Sequence, residues 1–194
     1  MTPKDKQSIR QHIRHLRRSL SIEQQEKAGE GLLKNLKAMN LFANGDQAGF
    51  YLANDGEIDP AKSLQHAIRN NIRCVLPIIP AKGERLLFFG DVNGQIRYQP
   101  NRFGIPEPVV SESQCFGVDQ LDWLLVPLVA FDAAGNRIGM GGGFYDTTLA
   151  ARVDVNRPRV IGVAHEVQKV EEIPSDHWDI PISTIVTDEN IYHI

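Results

Sequence analysis

The 194-residue sequence lacks the features that define several large classes of protein. Two cysteines, Cys74 and Cys115, are too few for a disulfide framework, and Cys74 lies in an apolar run, as a small core residue would. The longest apolar stretch, residues 121–131, is interrupted by Asp122 and Pro127 and falls short of the ~20 residues that a membrane span needs. We therefore expect a reduced, cytoplasmic protein with no membrane association.

Neither sign of charge dominates the chain, whose net charge is −3, so nucleic-acid binding is not favoured. The first 18 residues differ, because many are basic and Asp5 is the one acid among them. No apolar segment follows, so we do not expect a secretory signal. A short basic segment in an acidic chain suggests a local anion site. The basic residues of this segment are Lys4, Lys6, Arg10, Arg14, Arg17 and Arg18.

Apolar and turn-forming residues alternate along the chain in a pattern typical of βαβ units. We predict an α/β protein, a single domain over residues 1–194, with a largely parallel sheet covered by helices on both faces in a Rossmann-like three-layer sandwich. An Asn93-Gly94 pair predicts a hairpin-like turn, and residues 101–108 predict a loop. Predicted helices cover residues 4–18, 22–39, 60–70 and 144–152, with Ser21 and Asp59 as N-caps; predicted strands cover 47–52, 72–79, 86–89, 121–129, 159–164 and 182–186.

The strongest functional signal is a glycine-dense turn at residues 135–143, directly after the predicted strand at 121–129. Four glycines among the five residues 139–143 leave the backbone N–H groups free to surround an anion without interference from Cβ atoms. The turn leads into a helix, whose N-terminus also favours a phosphate. It is not a P-loop, and Phe144 excludes a dinucleotide fingerprint. A connection without a ligand remains the alternative.

Several charged residues allow two interpretations each. Asp146 is either a partner of the helix dipole or a Mg²⁺ ligand, and Asp179 is either a second ligand or a structural loop acid. Lys6 and Arg10 share one helix face, which could be simply solvated. His165 has no second histidine at a zinc-binding spacing and fits a structural position at a strand end.

The segment Leu128 to Asp146, LVAFDAAGNRIGMGGGFYD, resembles the signature of the 5-formyltetrahydrofolate cyclo-ligase family, also called 5,10-methenyltetrahydrofolate synthetases. The resemblance extends along nearly the whole chain, and several motifs in the right order are more specific than one glycine turn. The further matching positions are Lys6, Arg10, the segments DGEI (55–58) and IPEP (105–108), Gln168, and residues 174–187 around Asp179.

The resemblance implies a ligase that uses ATP and Mg²⁺ to cyclise 5-formyltetrahydrofolate to 5,10-methenyltetrahydrofolate by phosphorylating the formyl oxygen. An amide oxygen is a weak nucleophile, so catalysis must come from in-line positioning and from neutralising phosphate charge. The implied partners are a reduced folate and ATP, without nucleic acid or membrane, and we expect a monomer.

The resemblance also implies roles for individual residues. Arg137 and Tyr145 are expected to be catalytic, and Asp146 and Asp179 to hold the metal. Phe103 would stack on the pteridine ring, although core packing is the alternative for Phe103 and Leu52. The residues expected to bind ATP are Lys6, Arg10, Arg137, Gly139, Gly141, Gly142, Gly143, Phe144 and Tyr145; those expected to bind folate are Leu52, Glu57, Phe103 and Tyr145.

Two positions depart from the family pattern. Many members carry Lys where this chain has Gly142, and often Arg or another polar residue where it has Met140. The glycine turn therefore lacks up to two cations, and Arg137 is the one basic side chain left in it. We expect weaker nucleotide binding rather than a different reaction.

Two other classes of protein remain as alternatives. A sugar-phosphate isomerase or CoA-transferase-like enzyme would need no ATP, and the acids Asp146 and Asp179 together with the basic helix argue against it. A nucleic-acid-binding module would need basic or aromatic residues spread over a face, whereas the basic residues here are concentrated in one short helix.

Overall fold

The computed structural model describes residues 5–174 and 182–194. Its α-helices are α1 (Lys6–Arg18), α2 (Ile22–Ala38), α3 (Ala61–Arg69) and α4 (Phe144–Ala150). Its strands are β1 (Gln47–Gly49), β2 (Arg73–Ile78), β3 (Phe88–Asp91), β4 (Arg97–Pro100), β5 (Pro106–Val109), β6 (Cys115–Phe116), β7 (Trp123–Pro127), β8 (Ala130–Phe131), β9 (Arg137–Ile138), β10 (Arg159–Val163), β11 (Thr184–Val186) and β12 (Ile191–His193).

An eight-stranded sheet in the order β12-β11-β10-β7-β1-β2-β3-β6 forms the centre of the molecule. The strands from β11 to β2 in this order are parallel neighbours. The outer strands β12, β3 and β6 pair in antiparallel fashion. The prediction of an α/β fold with a largely parallel sheet is therefore confirmed, with antiparallel strands added at both edges.

Both faces of the sheet are buried, which explains the nearly continuous apolar run of its central strand β7. Trp123 and Leu125 of β7 point to the face covered by α2 and α3. Leu124 and Val126 point to the opposite face, where Leu149 of α4 packs. Helices on both faces were predicted and are found. No helix in the described part of the chain is both long and apolar enough to cross a membrane.

Helix α1 lies beside the sheet and packs on the hairpin formed by β8 and β9. The Asp5 side chain accepts hydrogen bonds from the backbone N–H groups of Gln7 and Ser8, both at 2.9 Å, and so caps the helix. Ile9 and Ile13, one turn apart, are buried against Ala130 and neighbouring apolar residues. This packing fixes the basic helix next to the glycine turn.

The predicted helix starts are close to those observed. Ser21 and Gln24 form the predicted capping box at the start of α2. Helix α3 begins one residue later than predicted, because Pro60 occupies the cap position and Ala61 is the first helical residue. The Asp59 carboxylate still accepts a 2.9 Å hydrogen bond from the Ala61 N–H group. Asp59 therefore caps the helix as predicted, but from the residue before the N-cap position.

The Asn93-Gly94 prediction of a hairpin is wrong, because β3 and β4 on either side of this pair belong to different sheets. Asn93 instead bonds the backbone at the start of β2. Its side chain accepts a 2.7 Å hydrogen bond from the Cys74 N–H group and donates a 2.8 Å bond to the Ile72 carbonyl.

Four further elements differ from the prediction. Strand β1 ends at Gly49 rather than residue 52, and residues 182–186 do not contain the last strand, since β12 follows. The predicted loop at 101–108 is partly a strand, because β5 pairs with β4 in a separate two-stranded sheet, where prolines are tolerated at an edge. The glycine-dense turn contains β9, which pairs with β8.

Candidate active site

The candidate site lies at the carboxyl ends of adjacent parallel strands, where ligands bind in open α/β sheets. The segment 50–58 follows β1, the segment beginning at Leu128 follows β7, and His165 follows β10. Because β10, β7 and β1 are neighbours in the sheet, these three segments meet at one edge. They bring together residues that are more than 70 positions apart in the sequence.

We call residues 139–143, which lead into α4, the glycine segment. Gly141 and Gly143 have φ angles of +90° and +70°, a region that L side chains rarely adopt, so both positions require glycine for conformational reasons. Gly142 does not have a positive φ, but a Cβ there would lie 2.8 Å from the Phe144 ring. The glycines are thus needed for two different physical reasons.

Arg10 of α1 reaches the glycine segment, as the resemblance implied. Its Nε atom donates a 2.8 Å hydrogen bond to the Gly139 carbonyl, and its guanidinium carbon lies 4.0 Å from the position of a Cβ on Gly141. Lys6 lies one helical turn before Arg10 and is partly buried. The basic helix face is therefore directed at the glycine segment rather than at solvent alone.

Arg137 and Asp146 form an ion pair between β9 and the first turn of α4. The Arg137 side chain is only 8% exposed, whereas that of Asp146 is 62% exposed. The guanidinium of the pair is therefore buried, while its carboxylate faces solvent next to the glycine segment.

Sequence reasoning missed a further basic residue, Arg85, which lies against the glycine segment. The Arg85 Nη1 atom lies 3.2 Å from the position of a Cβ on Gly143. Arg102 lies nearby, with its guanidinium 5.2 Å from the Phe103 ring and 5.6 Å from the Phe144 ring. Arg137 is therefore not the one cation at this segment. No local pattern in the sequence pairs residues 85 and 102 with residues 139–143, which lie far along the chain from both.

The donor set partly fits a magnesium ion. Asp146 offers an exposed carboxylate, and Asp179 lies outside the described residues. Within residues 5–174 and 182–194, no group of three or more His, Cys, Asp or Glu side chains is placed to hold a metal. One exposed carboxylate is a donor of the kind that Mg²⁺ uses, since Mg²⁺ commonly takes one or two carboxylates together with water and substrate phosphates.

Phe103 is 55% exposed and makes an edge contact with Phe144, at 6.0 Å between ring centroids and 78° between planes. An exposed aromatic ring is available for stacking, so core packing does not explain Phe103. Leu52, by contrast, is partly buried and packs against the core on the α2 side of the sheet, as its alternative interpretation expected.

Glu57 is an almost buried carboxylate, with 11% of its side chain exposed. Burial raises the pKa of Glu57 to about 7, and the positive charge of Arg17 opposes that rise. Tyr145 lies close enough for the Glu57 charge to add to the effect of burial, and both raise the pKa of the Tyr145 hydroxyl. The structure thus brings together Glu57 and Tyr145, two of the residues expected to bind folate.

Arg17, which sequence reasoning did not single out, is completely buried beneath this site. Its position was detectable in principle, because Ile9, Ile13 and Arg17 follow one another at intervals of four residues on one helix face. The apolar residue Leu16 is the member of this helix face that hydrophobicity alone would select, since arginine is rarely buried. Leu16 is only partly buried.

The carboxylate of Asp55 holds three arginines of α1 together. It accepts hydrogen bonds from Arg14 at 2.7 Å, from Arg17 at 2.9 Å and from Arg18. Although burial opposes the effect, these bonds hold the pKa of Asp55 well below its ordinary value. Asp55 therefore stays ionised and anchors the turn that carries Glu57.

Gln168, another position of the resemblance, links two of the site segments. It is fully buried, and its side-chain amide donates hydrogen bonds to the Leu128 and Val129 carbonyls at 2.7 and 2.8 Å. Its amide oxygen accepts a 2.8 Å bond from the His165 N–H group. Gln168 therefore fixes the start of the segment that leads to the glycines, which is a structural role.

Fold and site together define an α/β protein with a cation-lined glycine segment and a buried carboxylate at the carboxyl edge of its sheet. Residues 2–188 match the model of the 5-formyltetrahydrofolate cyclo-ligase family, and the chain belongs to that family. The prediction of this family is confirmed.

Two similar proteins align with nearly the whole chain. A Haemophilus influenzae 5-formyltetrahydrofolate cyclo-ligase is 35% identical over 195 residues, covering 96% of this chain and 99% of the relative. The Escherichia coli K12 protein of the same name is 33% identical over 180 residues, covering 93% and 98%.

Two solved structures resemble the fold. An NMR structure of Aquifex aeolicus 5,10-methenyltetrahydrofolate synthetase has a TM-score of 0.81 at 29% identity and covers 97% of this chain and 92% of that one. A Mycoplasma pneumoniae structure with a TM-score of 0.76 and 23% identity covers 96% and 100%, and supports the fold alone. The roles of individual site residues stay predictions.

Proposed function

We propose that the protein converts 5-formyltetrahydrofolate to 5,10-methenyltetrahydrofolate at the expense of ATP, which becomes ADP and phosphate. The names of its relatives support the folate substrate and the ring closure. The observation that carries the proposal is the glycine segment itself. Cationic side chains approach it, and Tyr145, which follows it, lies close enough to Glu57 to feel the charge of that carboxylate.

The reaction needs two displacements. The formyl oxygen attacks the γ-phosphorus of ATP, a P–O bond forms, and ADP leaves. The N10 amine then attacks the activated formyl carbon and loses its proton, and the C–O bond breaks so that phosphate departs with the former formyl oxygen. Because the formyl oxygen is a poor nucleophile, the first displacement depends on alignment and charge neutralisation.

The protein supplies that neutralisation on one side of the glycine segment. Lys6 and Arg10 project from α1, and Arg10 is already held in place by its bond to the Gly139 carbonyl. Arg137 is fixed by burial and by its pair with Asp146. Preorganised cations of this kind need little rearrangement as charge develops on the transferring phosphoryl group.

Glu57, Tyr145 and Phe103 form the folate side of the proposed site. Phe103 offers an exposed ring face for the pteridine. Glu57 offers carboxylate oxygens to the N–H groups of the reduced pterin. Tyr145 keeps its hydroxyl proton, since burial raises its pKa, and so acts as a hydrogen-bond donor near the reacting groups.

Asp146, and Asp179 outside the described residues, would hold Mg²⁺, which when bound supplies positive charge to phosphate oxygens. The solvent exposure of Asp146 suits an ion that keeps several of its water ligands. We also propose that the enzyme acts in the cytoplasm as a monomer and has no nucleic-acid partner, since its basic residues converge on a small-molecule site.

Purified protein supplied with Mg-ATP and 5-formyltetrahydrofolate should produce the near-ultraviolet absorbance of the methenyl product, with one ADP for each ring closed. Omission of Mg²⁺, or replacement of ATP by a non-hydrolysable analogue, should abolish the signal. Thermal shifts with Mg-ATP and 5-formyltetrahydrofolate should exceed those with sugar phosphates or oligonucleotides. A folded sample that forms no methenyl product at any Mg-ATP concentration contradicts the proposal.

A further inference from the structure

Arg17 is a charged side chain with no exposed surface. A guanidinium group is costly to bury unless its charge is paired and its N–H groups are bonded. The buried Arg17 side chain is therefore held in one conformation by its contacts, unlike an arginine on the surface, which samples many.

The contacts of Arg17 reach both halves of the proposed site. Toward the folate half, its Nε and Nη2 atoms donate to the Asp55 carbonyl at 2.8 Å and to the Asp55 carboxylate at 2.9 Å. The same Nη2 atom lies 3.8 Å from the Glu57 carboxylate. Toward the phosphate half, Nη1 donates to the Leu128 carbonyl at 3.3 Å and Nη2 to the Met140 sulfur at 3.6 Å.

We propose that Arg17 is a positioning residue that fixes the Glu57 carboxylate relative to the glycine segment and favours its negative charge for folate binding. This inference rests on the proposed function. Arg17 need not touch either substrate, because one planar group bonded to both Asp55 and Leu128 sets the distance between the two halves.

Several groups face Glu57, and Arg17 is the charge that most strongly favours its ionised form. Arg14 of α1 acts in the same direction but more weakly, and Asp55 acts against it. Tyr51 and Tyr145 stay neutral, and the His165 ring lies against the backbone of this turn. The Asn54 N–H group also donates a 3.1 Å hydrogen bond to the Glu57 carboxylate and favours the ionised form. Burial is the larger effect, and the Arg17 charge is the strongest of the influences that oppose it.

The ionised form of Glu57 accepts hydrogen bonds from pterin N–H groups, and the protonated form loses that capacity. The value of kcat/KM for 5-formyltetrahydrofolate should therefore rise with pH, with a midpoint at about 7. Removal of Arg17 raises the pKa of Glu57 and moves the midpoint to higher pH.

The test compares Arg17→Gln and Arg17→Lys with Arg18→Gln. Arg18 also bonds Asp55 but has no contact with Glu57, which makes it a matched control. Arg17→Gln should move the midpoint up by about one to two pH units, within the range for a close opposite charge, and lower kcat/KM at pH 7 about fivefold to fiftyfold. Arg17→Lys, which keeps the charge but not the planar fork, should lie between wild type and Arg17→Gln. Arg18→Gln should leave the midpoint unchanged.

A purely structural role would lower thermal stability and the active fraction without moving the midpoint, and that result overturns the inference. If Arg17→Gln does not fold, an unmoved midpoint in Arg17→Lys overturns it equally. The pKa of Glu57 can also be followed by carbon-13 carboxyl NMR without turnover, and it should be higher in Arg17→Lys than in wild type. If wild-type protein forms no methenyl product, the proposed function fails, while the NMR titration still decides whether Arg17 controls Glu57.

Discussion

The two halves of the proposed site handle charge in opposite ways. In the folate half, Asp55, Glu57 and Arg17 are almost or completely buried and are bonded to one another. In the phosphate half, the Asp146 carboxylate is 62% exposed, although its partner Arg137 is only 8% exposed. A buried charge must be satisfied before any ligand arrives, whereas an exposed one can be solvated until then. The protein therefore completes the folate half on folding and leaves the phosphate half to be completed by its ligand.

This difference implies that equivalent substitutions should have different consequences in the two halves. Removing a charge from the folate half should cost stability, because its partner stays buried without compensation. Removing a charge from the phosphate half should cost nucleotide binding or rate at nearly constant stability.

The largest effect is expected for Asp55→Asn, which keeps the shape of a residue whose φ is +55° but removes the shared negative charge. Loss of the partner of buried Arg17 should lower the free energy of unfolding by about 3 kcal/mol or more, measured by urea denaturation. The matched change Asp146→Asn should lower it by only about 0–1 kcal/mol, because the Asp146 carboxylate is 62% exposed, while raising the Mg²⁺ needed for half-maximal rate. Equal losses of stability at positions 55 and 146 would remove the contrast between the two halves.

A smaller effect, confined to binding, is expected for Arg10→Ala. A charge-assisted contact to phosphate contributes about 1.5–3 kcal/mol, so the KM for ATP should rise about tenfold or more. The melting temperature should change little, since most surface substitutions lie within about ±0.5 kcal/mol. Lys6→Ala should act in the same direction, and Lys34→Ala, an exposed cation on α2, serves as the control. Similar, small changes in KM at positions 10 and 34 would mean that the basic face of α1 is only solvated.

The fold was largely predictable, because local signals determine most of its elements. Short apolar runs bounded by turn residues located the central strands, and the Ser21 capping box located the start of α2. The boundaries that failed depend on tertiary partners. Strand β5 exists only through its pairing with β4, and Asn93 is used by the neighbouring strand rather than by a hairpin.

The site was predictable where it is continuous in sequence. The glycine segment followed from its own motif, whereas the approach of Arg10 was implied by the family resemblance. At Gly142 the restriction on a side chain comes from the Phe144 ring. The burial of Arg17 and the position of Arg85 were not anticipated. Both depend on contacts with segments far along the chain, and arginine composition alone does not distinguish a buried guanidinium from a solvated one.

Transfer of the formyl oxygen tests the central claim most directly. If the enzyme phosphorylates that oxygen, 5-formyltetrahydrofolate labelled with oxygen-18 in its formyl group should deliver the label to inorganic phosphate, in proportion to the methenyl product formed. Mass spectrometry of the released phosphate measures this with wild-type protein and Mg-ATP. Methenyl formation accompanied by unlabelled phosphate would contradict activation at the formyl oxygen.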